Sequence, residues 1–187
     1  MEQDGVSGDL DACTARGCIY WVTGLSGSGK TTLAQALVER LGALGRSVVQ
    51  IDGDRMRAIL GGRFGYTHGD RHLLAQTYGR LCKELGDQGH DVVCATVSMF
   101  HDVRAWNRDN IGHYVEIYLR MPIDQLVERH PRGLYARGLT GHIRHVPGID
   151  IALEEPEAPD VILDAALPPA AVVANLFRYL DTIKKAA

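Results

Sequence analysis

The chain has 187 residues, 45% of them hydrophobic and 23% charged, and a net charge of -3. That length suits one domain with a real core, and so small a charge sets up no field that would draw in nucleic acid or an anionic membrane. The four cysteines, Cys13, Cys18, Cys82 and Cys94, form no C-x-x-C pair; Cys82 lies in a helical pattern and Cys94 in an apolar strand, which predicts buried thiols and a reducing, cytoplasmic setting.

Met1 to Gly17 is polar, rich in small residues and aperiodic. It predicts a loose tail over 1–17 ahead of a single domain over 18–187. The tail lacks the basic and apolar regions of a signal peptide, and no apolar run further on is long enough to span a bilayer. Ile19 to Val22 reads as a first strand, followed by the glycine-rich stretch Gly24-Leu25-Ser26-Gly27-Ser28-Gly29-Lys30-Thr31. From Thr32 to Leu44, leucines at 33, 37, 41 and 44 recur at helical spacing, and Gly45 ends the helix. Val48 to Ile51 reads as a second strand that runs into Asp52-Gly53-Asp54-Arg55-Met56-Arg57. Gly61 to Gly69, with Phe64 and Tyr66, reads as a loop. Asp70 to Gln88 is helical, with Leu73, Leu74, Tyr78, Leu81 and Leu85 on one side.

Val92 to Val97 is a third strand, apolar enough for a parallel sheet covered on both faces. His101 to Asn110 predicts a helix, Tyr114 to Leu119 a fourth strand, and Pro122 opens a short helix. Periodicity then vanishes from His130 to Pro159, a length that in a compact domain marks a functional loop, here a lid. Val161 to Leu163 is a fifth strand, and Ala170 to Lys185 a closing helix. Strands alternating with helices predict an α/β three-layer sandwich around a five-stranded parallel sheet.

Gly24 to Thr31 fits G-x-x-x-x-G-K-S/T, and it stands where that motif has a mechanism, between a strand and a helix. Glycines let successive amides turn inward around a phosphate, and the helix N-terminus adds positive potential. The expected nucleotide-binding set is Gly24, Leu25, Ser26, Gly27, Ser28, Gly29, Lys30, Thr31 and Thr32. Lys30 can reach the β- and γ-phosphates of ATP, and the Thr31 hydroxyl can ligate Mg²⁺.

Ligand sites in parallel sheets lie beyond the carboxyl ends of the strands. Asp52 and Asp54 stand at one such end, so one carboxylate, Asp52, can hold Mg²⁺ through water and the other, Asp54, can take a proton from an attacking hydroxyl. The third strand carries no acidic residue at its end, which argues against a motor or GTPase switch and toward a small-molecule kinase. Arg57, Arg71 and Arg104 sit near strand ends, where guanidinium groups can clamp an acceptor anion. His68 and His72 share a helical face, but without an acidic partner or a third ligand they do not make a metal site.

Taken in order, these segments resemble the adenylylsulfate (APS) kinases over roughly Ile19 to Leu163. The phosphate loop, Ile51-Asp52-Gly53-Asp54 with Arg57, Gly65-Tyr66-Thr67-His68-Gly69-Asp70-Arg71, the lid run Arg132-Gly133-Leu134-Tyr135, Gly148-Ile149-Asp150 and Glu154-Glu155-Pro156 are each similar to that family's motifs. The resemblance implies transfer of the ATP γ-phosphate to the ribose 3′-hydroxyl of a nucleotide, with Asp54 as base or metal helper. It places Arg57, Tyr66, Arg71, Ser98, Phe100, Arg104, Arg132, Gly133 and Leu134 around the acceptor, with Tyr66 stacked on its base and Ser98 as a polar contact. Family members are often homodimers.

Departures cluster on the acceptor side. Leu74-Ala75-Gln76-Thr77 replaces Asn-Ile-Arg-Arg, Val97-Ser98-Met99-Phe100-His101 replaces Ile-Ser-Pro-Tyr-Arg, and Val146-Pro147 replaces Phe-Thr. The last change removes the second aromatic wall around the base. Two acceptors therefore stand open: APS, and a cytidine diphosphate carrying a phosphoramidate, which a branch of this family phosphorylates. The other readings are a nucleotide-binding regulator without turnover and a kinase for a small alcohol such as gluconate.

Overall fold

The computed structural model describes residues 16–186, so all but the last two residues of the expected tail lie outside the described residues. Of those two, Gly17 is buried and donates its amide to the carbonyl of Gly86 at 2.8 Å. Five strands, β1 (Ile19–Gly24), β2 (Val48–Asp52), β3 (Asp91–Thr96), β4 (Tyr114–Arg120) and β5 (Val161–Asp164), form one sheet in the order β2-β3-β1-β4-β5. Every pairing is parallel.

Side chains alternate across each strand, so β1 feeds two cores. Tyr20 and Val22 face a layer built from Leu33, Leu37 and Leu41 of α1 (Lys30–Ala43) and Val172 and Leu176 of α7 (Pro169–Ala186). Ile19 and Trp21 face the opposite layer, with Leu74, Tyr78 and Cys82 of α3 (His68–Asp87) and Val103 of α4 (His101–Asn110). Three layers result, and the inner strands β1 and β3 are buried along their whole length, as apolar strands covered on both faces require. Leu44 and Leu73 depart from the periodic reading. Leu44 caps the end of α1 at 56% exposure, and Leu73 lies on the solvent side of α3 at 48%. Cys82 and Cys94 are buried free thiols and Cys18 is half-buried.

Two helices stand where the sequence shows no apolar periodicity. One is α2 (Gly53–Ile59), which buries no residue. It is started by the Asp52 side chain, whose Oδ1 accepts from the amides of Asp54 at 3.0 Å and Arg55 at 3.2 Å, an N-cap that satisfies orphan donors. After α5 (Ile123–Arg129) comes the other, α6 (Leu134–Leu139), inside the lid expected over His130 to Pro159. No helix among the described residues is long and apolar enough to cross a membrane.

The strand order places the ligand end of the sheet. The central strand β1 has β3 on one side and β4 on the other, so the chain leaves its carboxyl end at a switch of direction in the winding. Asp52 at the end of β2 pairs in register with Ala95 of β3, and Thr23 of β1 pairs with Thr96. Three loops therefore open on one edge.

Candidate active site

A cavity of about 640 Å³ occupies that edge. The phosphate loop forms its floor, with Ser26, Gly27, Gly29, Lys30, Thr31 and Thr32 lining it. Gly29 caps α1 at φ 96°, a left-handed backbone that a side chain would strain, and this turn aims the first amides of α1 into the space. Lys30 donates from Nζ to the carbonyl of Leu25 at 2.8 Å, which folds its chain back over the loop. Burial pulls its ammonium down to about 8, against the upward pull of Asp54 and Asp52. A desolvated cation with two carboxylates nearby is a receptor for an anion that can re-solvate it.

Thr31 Oγ1 donates to Asp52 Oδ2 at 3.0 Å. The two groups expected to serve a metal are thus adjacent, one from α1 and one from the end of β2. Asp54 is exposed, the second residue of α2, and lines the same cavity.

The second wall is cationic. Arg57 donates from Nη1 to the carbonyls of Gly65 at 2.6 Å and Phe64 at 3.4 Å. Arg71 donates from Nε to the carbonyl of Tyr66 at 3.0 Å and from Nη2 to that of His145 at 3.1 Å. Both guanidinium carbons lie over the Tyr66 ring, 4.7 Å and 5.3 Å from its centroid. The ring is 57% exposed and lines the cavity. Burial and the neighbouring Arg57 hold Arg71 below its usual range.

The structure thus brings together Lys30, Thr31, Thr32, Asp52, Asp54, Arg57, Tyr66, Arg71 and Leu134 with the loop residues Ser26, Gly27 and Gly29. Gly24, Leu25 and Ser28 stand behind the loop: Ser28 is buried, and Leu25 serves through its carbonyl.

Five expected acceptor contacts lie elsewhere. Ser98 is fully buried, and its carbonyl accepts from Thr23 Oγ1 at 3.1 Å. Phe100 belongs to the core under α3, edge-on to the rings of His68 and His72. Arg104 is 5% exposed and pairs with buried Glu116 of β4, Nε to Oε1 at 3.3 Å. Its Nη2 donates to the carbonyl of Glu154 at 2.7 Å, so it fixes the return limb of the lid instead of facing an acceptor. Arg132 is exposed and Gly133 half-buried, both outside the cavity lining.

Sequence reasoning missed Tyr78, Thr96 and the lid residues Ile143, Arg144, His145 and Pro147, all of which line the cavity. Among the described residues, His145 is the one non-glycine residue with positive φ, 63°, and Asp150 accepts from its amide at 2.7 Å. Such a backbone persists only when its surroundings enforce it. The acidic partner expected to be missing from the histidine pair is present: His72 Nε2 lies 2.7 Å from Asp102 Oδ2. Even so, no group of three or more ligating side chains stands together among the described residues.

Residues 16–164 match the family model described as "Adenylylsulphate kinase". The cytidine diphosphoramidate kinase of Campylobacter jejuni is 40% identical over 144 residues, covering 77% of this chain and 84% of that protein. The adenylyl-sulfate kinase of Myxococcus xanthus is 37% identical over 173 residues, covering 90% and 92%. Among solved structures, the Mycobacterium tuberculosis APS kinase in complex with AMPPNP and APS superposes with a TM-score of 0.79 at 30% identity, covering 89% of this chain and 98% of that one.

Proposed function

The chain belongs to the adenylylsulphate kinase family, and we propose that it transfers the γ-phosphate of ATP to the ribose 3′-hydroxyl of a nucleotide-linked acceptor. One observation carries this reading: the phosphate loop and the Asp54, Arg57, Tyr66 and Arg71 wall open into a single cavity. A donor phosphate on the loop amides and an acceptor on the opposite wall would meet without crossing solvent. Phosphoryl transfer asks the protein mainly for alignment and charge stabilisation.

In this reading Lys30 moves from the Leu25 carbonyl to the phosphate oxygens and stabilises the charge that spreads over them. Asp54, exposed and free to turn into the cavity, orients the 3′-hydroxyl and accepts its proton. Arg57 and Arg71 hold the acceptor's anionic group, and Tyr66 offers its ring to the base. Thr31 and Asp52 carry the hard oxygen donors that suit Mg²⁺, and would hold the ion. When bound, it supplies neutralising charge to the β- and γ-phosphate oxygens.

Family membership implies APS as acceptor, giving 3′-phosphoadenylylsulfate. A specific observation favours a second acceptor. Val146 is fully buried in the core, so this segment adds Pro147 and the aliphatic Ile143, and no phenyl or phenol ring, to the cavity that Tyr66 lines. A base slot with one aromatic face suits a smaller base, as in cytidine diphosphoramidate. The test is ADP release with APS, cytidine diphosphoramidate, nucleoside monophosphates and gluconate, each with Mg-ATP. One of the first two should stimulate release at least about tenfold over the others, the discrimination expected of a pocket that contacts the base. Stimulation by gluconate alone, or by none, contradicts the reading.

A further inference from the structure

The amide of Ser26 points from the phosphate loop, yet in this structure it is held by a side chain 109 residues away: it donates to the hydroxyl of Tyr135 at 2.9 Å. Tyr135 is 4% exposed, and its ring belongs to the core layer that includes Leu25, Leu126 and Val146. Burial pushes the phenol up to about 12, so the hydroxyl stays neutral at any working pH. A ring fixed in the core and a hydroxyl on a loop amide make a rigid tie, because a tyrosine has few rotamers to lose.

Tyr135 stands on α6, and α6 is fastened to the wall facing the loop. The carbonyl of Arg137 accepts from the amides of His142 at 2.9 Å and Ile143 at 3.3 Å. The backbone of α6 lies against the next segment so closely that a Cβ on Gly138 would stand 3.2 Å from Val146 Cγ2 and 3.5 Å from Ile149 Cγ1. That segment carries Ile143, Arg144, His145 and Pro147 into the cavity, and the carbonyl of His145 takes the Arg71 bond. A chain of contacts therefore runs from the phosphate loop through one hydroxyl to the acceptor side.

We infer that Tyr135 is a positioning residue: by holding the Ser26 amide, it keeps the phosphate loop in register with the wall that receives the acceptor. The inference rests on the 3′-kinase reading for its consequence, since in-line transfer slows by up to about 10²-fold when donor and acceptor shift by about 1 Å. Tyr135→Phe removes the hydroxyl and keeps the ring. Its kcat should fall about tenfold while the KM for ATP stays within about twofold, the pattern of lost alignment as opposed to lost binding. Misaligned acceptor also lets water compete, so ADP released per acceptor phosphorylated should rise above one. A purely structural role would lower Tm and leave that ratio at one.

Amide hydrogen exchange in the unsubstituted, substrate-free protein tests the tie itself. Ser26 should be protected relative to Gly27, and the protection should vanish in Tyr135→Phe. Wild-type kcat and a ratio of one in the variant, or a Ser26 amide that exchanges as fast as Gly27 in the unsubstituted protein, overturns the inference. Failure of the 3′-kinase reading would look different: the unsubstituted protein would phosphorylate no nucleotide, while Ser26 exchange would still decide the tie.

Discussion

At the phosphate loop, the residues that line the cavity, Ser26, Gly27, Gly29, Lys30, Thr31 and Thr32, offer backbone amides, one lysine and short hydroxyl side chains, all within seven consecutive positions. At the acceptor end they are side chains from α2, the 60–67 loop, α3 and the 143–147 segment, and their guanidinium groups bond to carbonyls of one another's segments. The first region binds by backbone geometry that a short motif dictates, and it suits any nucleoside triphosphate. The second binds through side chains whose placement depends on the whole fold, and it is there that a family can change acceptor while keeping its donor.

If the two ends divide the work in this way, substitutions should separate them. Lys30→Ala should lower kcat/KM by at least about 10³-fold with every acceptor, because the transferring group loses its main preorganised cation; steady-state rates with two acceptors check this, and a loss confined to one acceptor breaks the division. Arg57→Ala should raise the acceptor KM about tenfold or more and leave the ATP KM within about twofold, as expected when a charge-assisted contact to one substrate is removed. The reverse pattern would move Arg57 to the donor end.

The smallest effect is in pH. The Lys30 ammonium has been pulled down to about 8 in the free protein, and a bound triphosphate raises it again. The complex therefore holds more protons than the free protein above pH 8. ATP affinity should be full below about pH 8 and fall with rising pH, by at most about tenfold per unit, until the complex itself deprotonates. Acceptor affinity, set by arginines, should stay level over that window. Calorimetric titration of each substrate from pH 7 to 9 checks the contrast.

The same division explains what could be read in the residues. The phosphate loop was legible because strand, glycines, lysine and helix are contiguous, and Asp52 and Asp54 because a strand end in a parallel sheet is a predictable place. The helix α2 was not, since it has no apolar face and depends on the Asp52 cap. Arg104 looked like an anion clamp because its partner Glu116 lies on another element and only folding brings them to 3.3 Å. Phe100 and Ser98 followed strand β3 as expected but turn into the core, where periodicity beyond a strand end gives no guide. Tyr135 was visible as part of a lid motif, while its bond to Ser26 spans most of the domain.

One cavity is to bring a triphosphate and a ribose hydroxyl together, so the atom that receives the transferred phosphate decides whether it does. The product formed from ATP and the preferred acceptor should show, by ³¹P–¹H correlation, a new phosphomonoester coupled to the ribose 3′ proton. A phosphate coupled to any other position, or ADP formed with no phosphorylated nucleotide, would contradict that role.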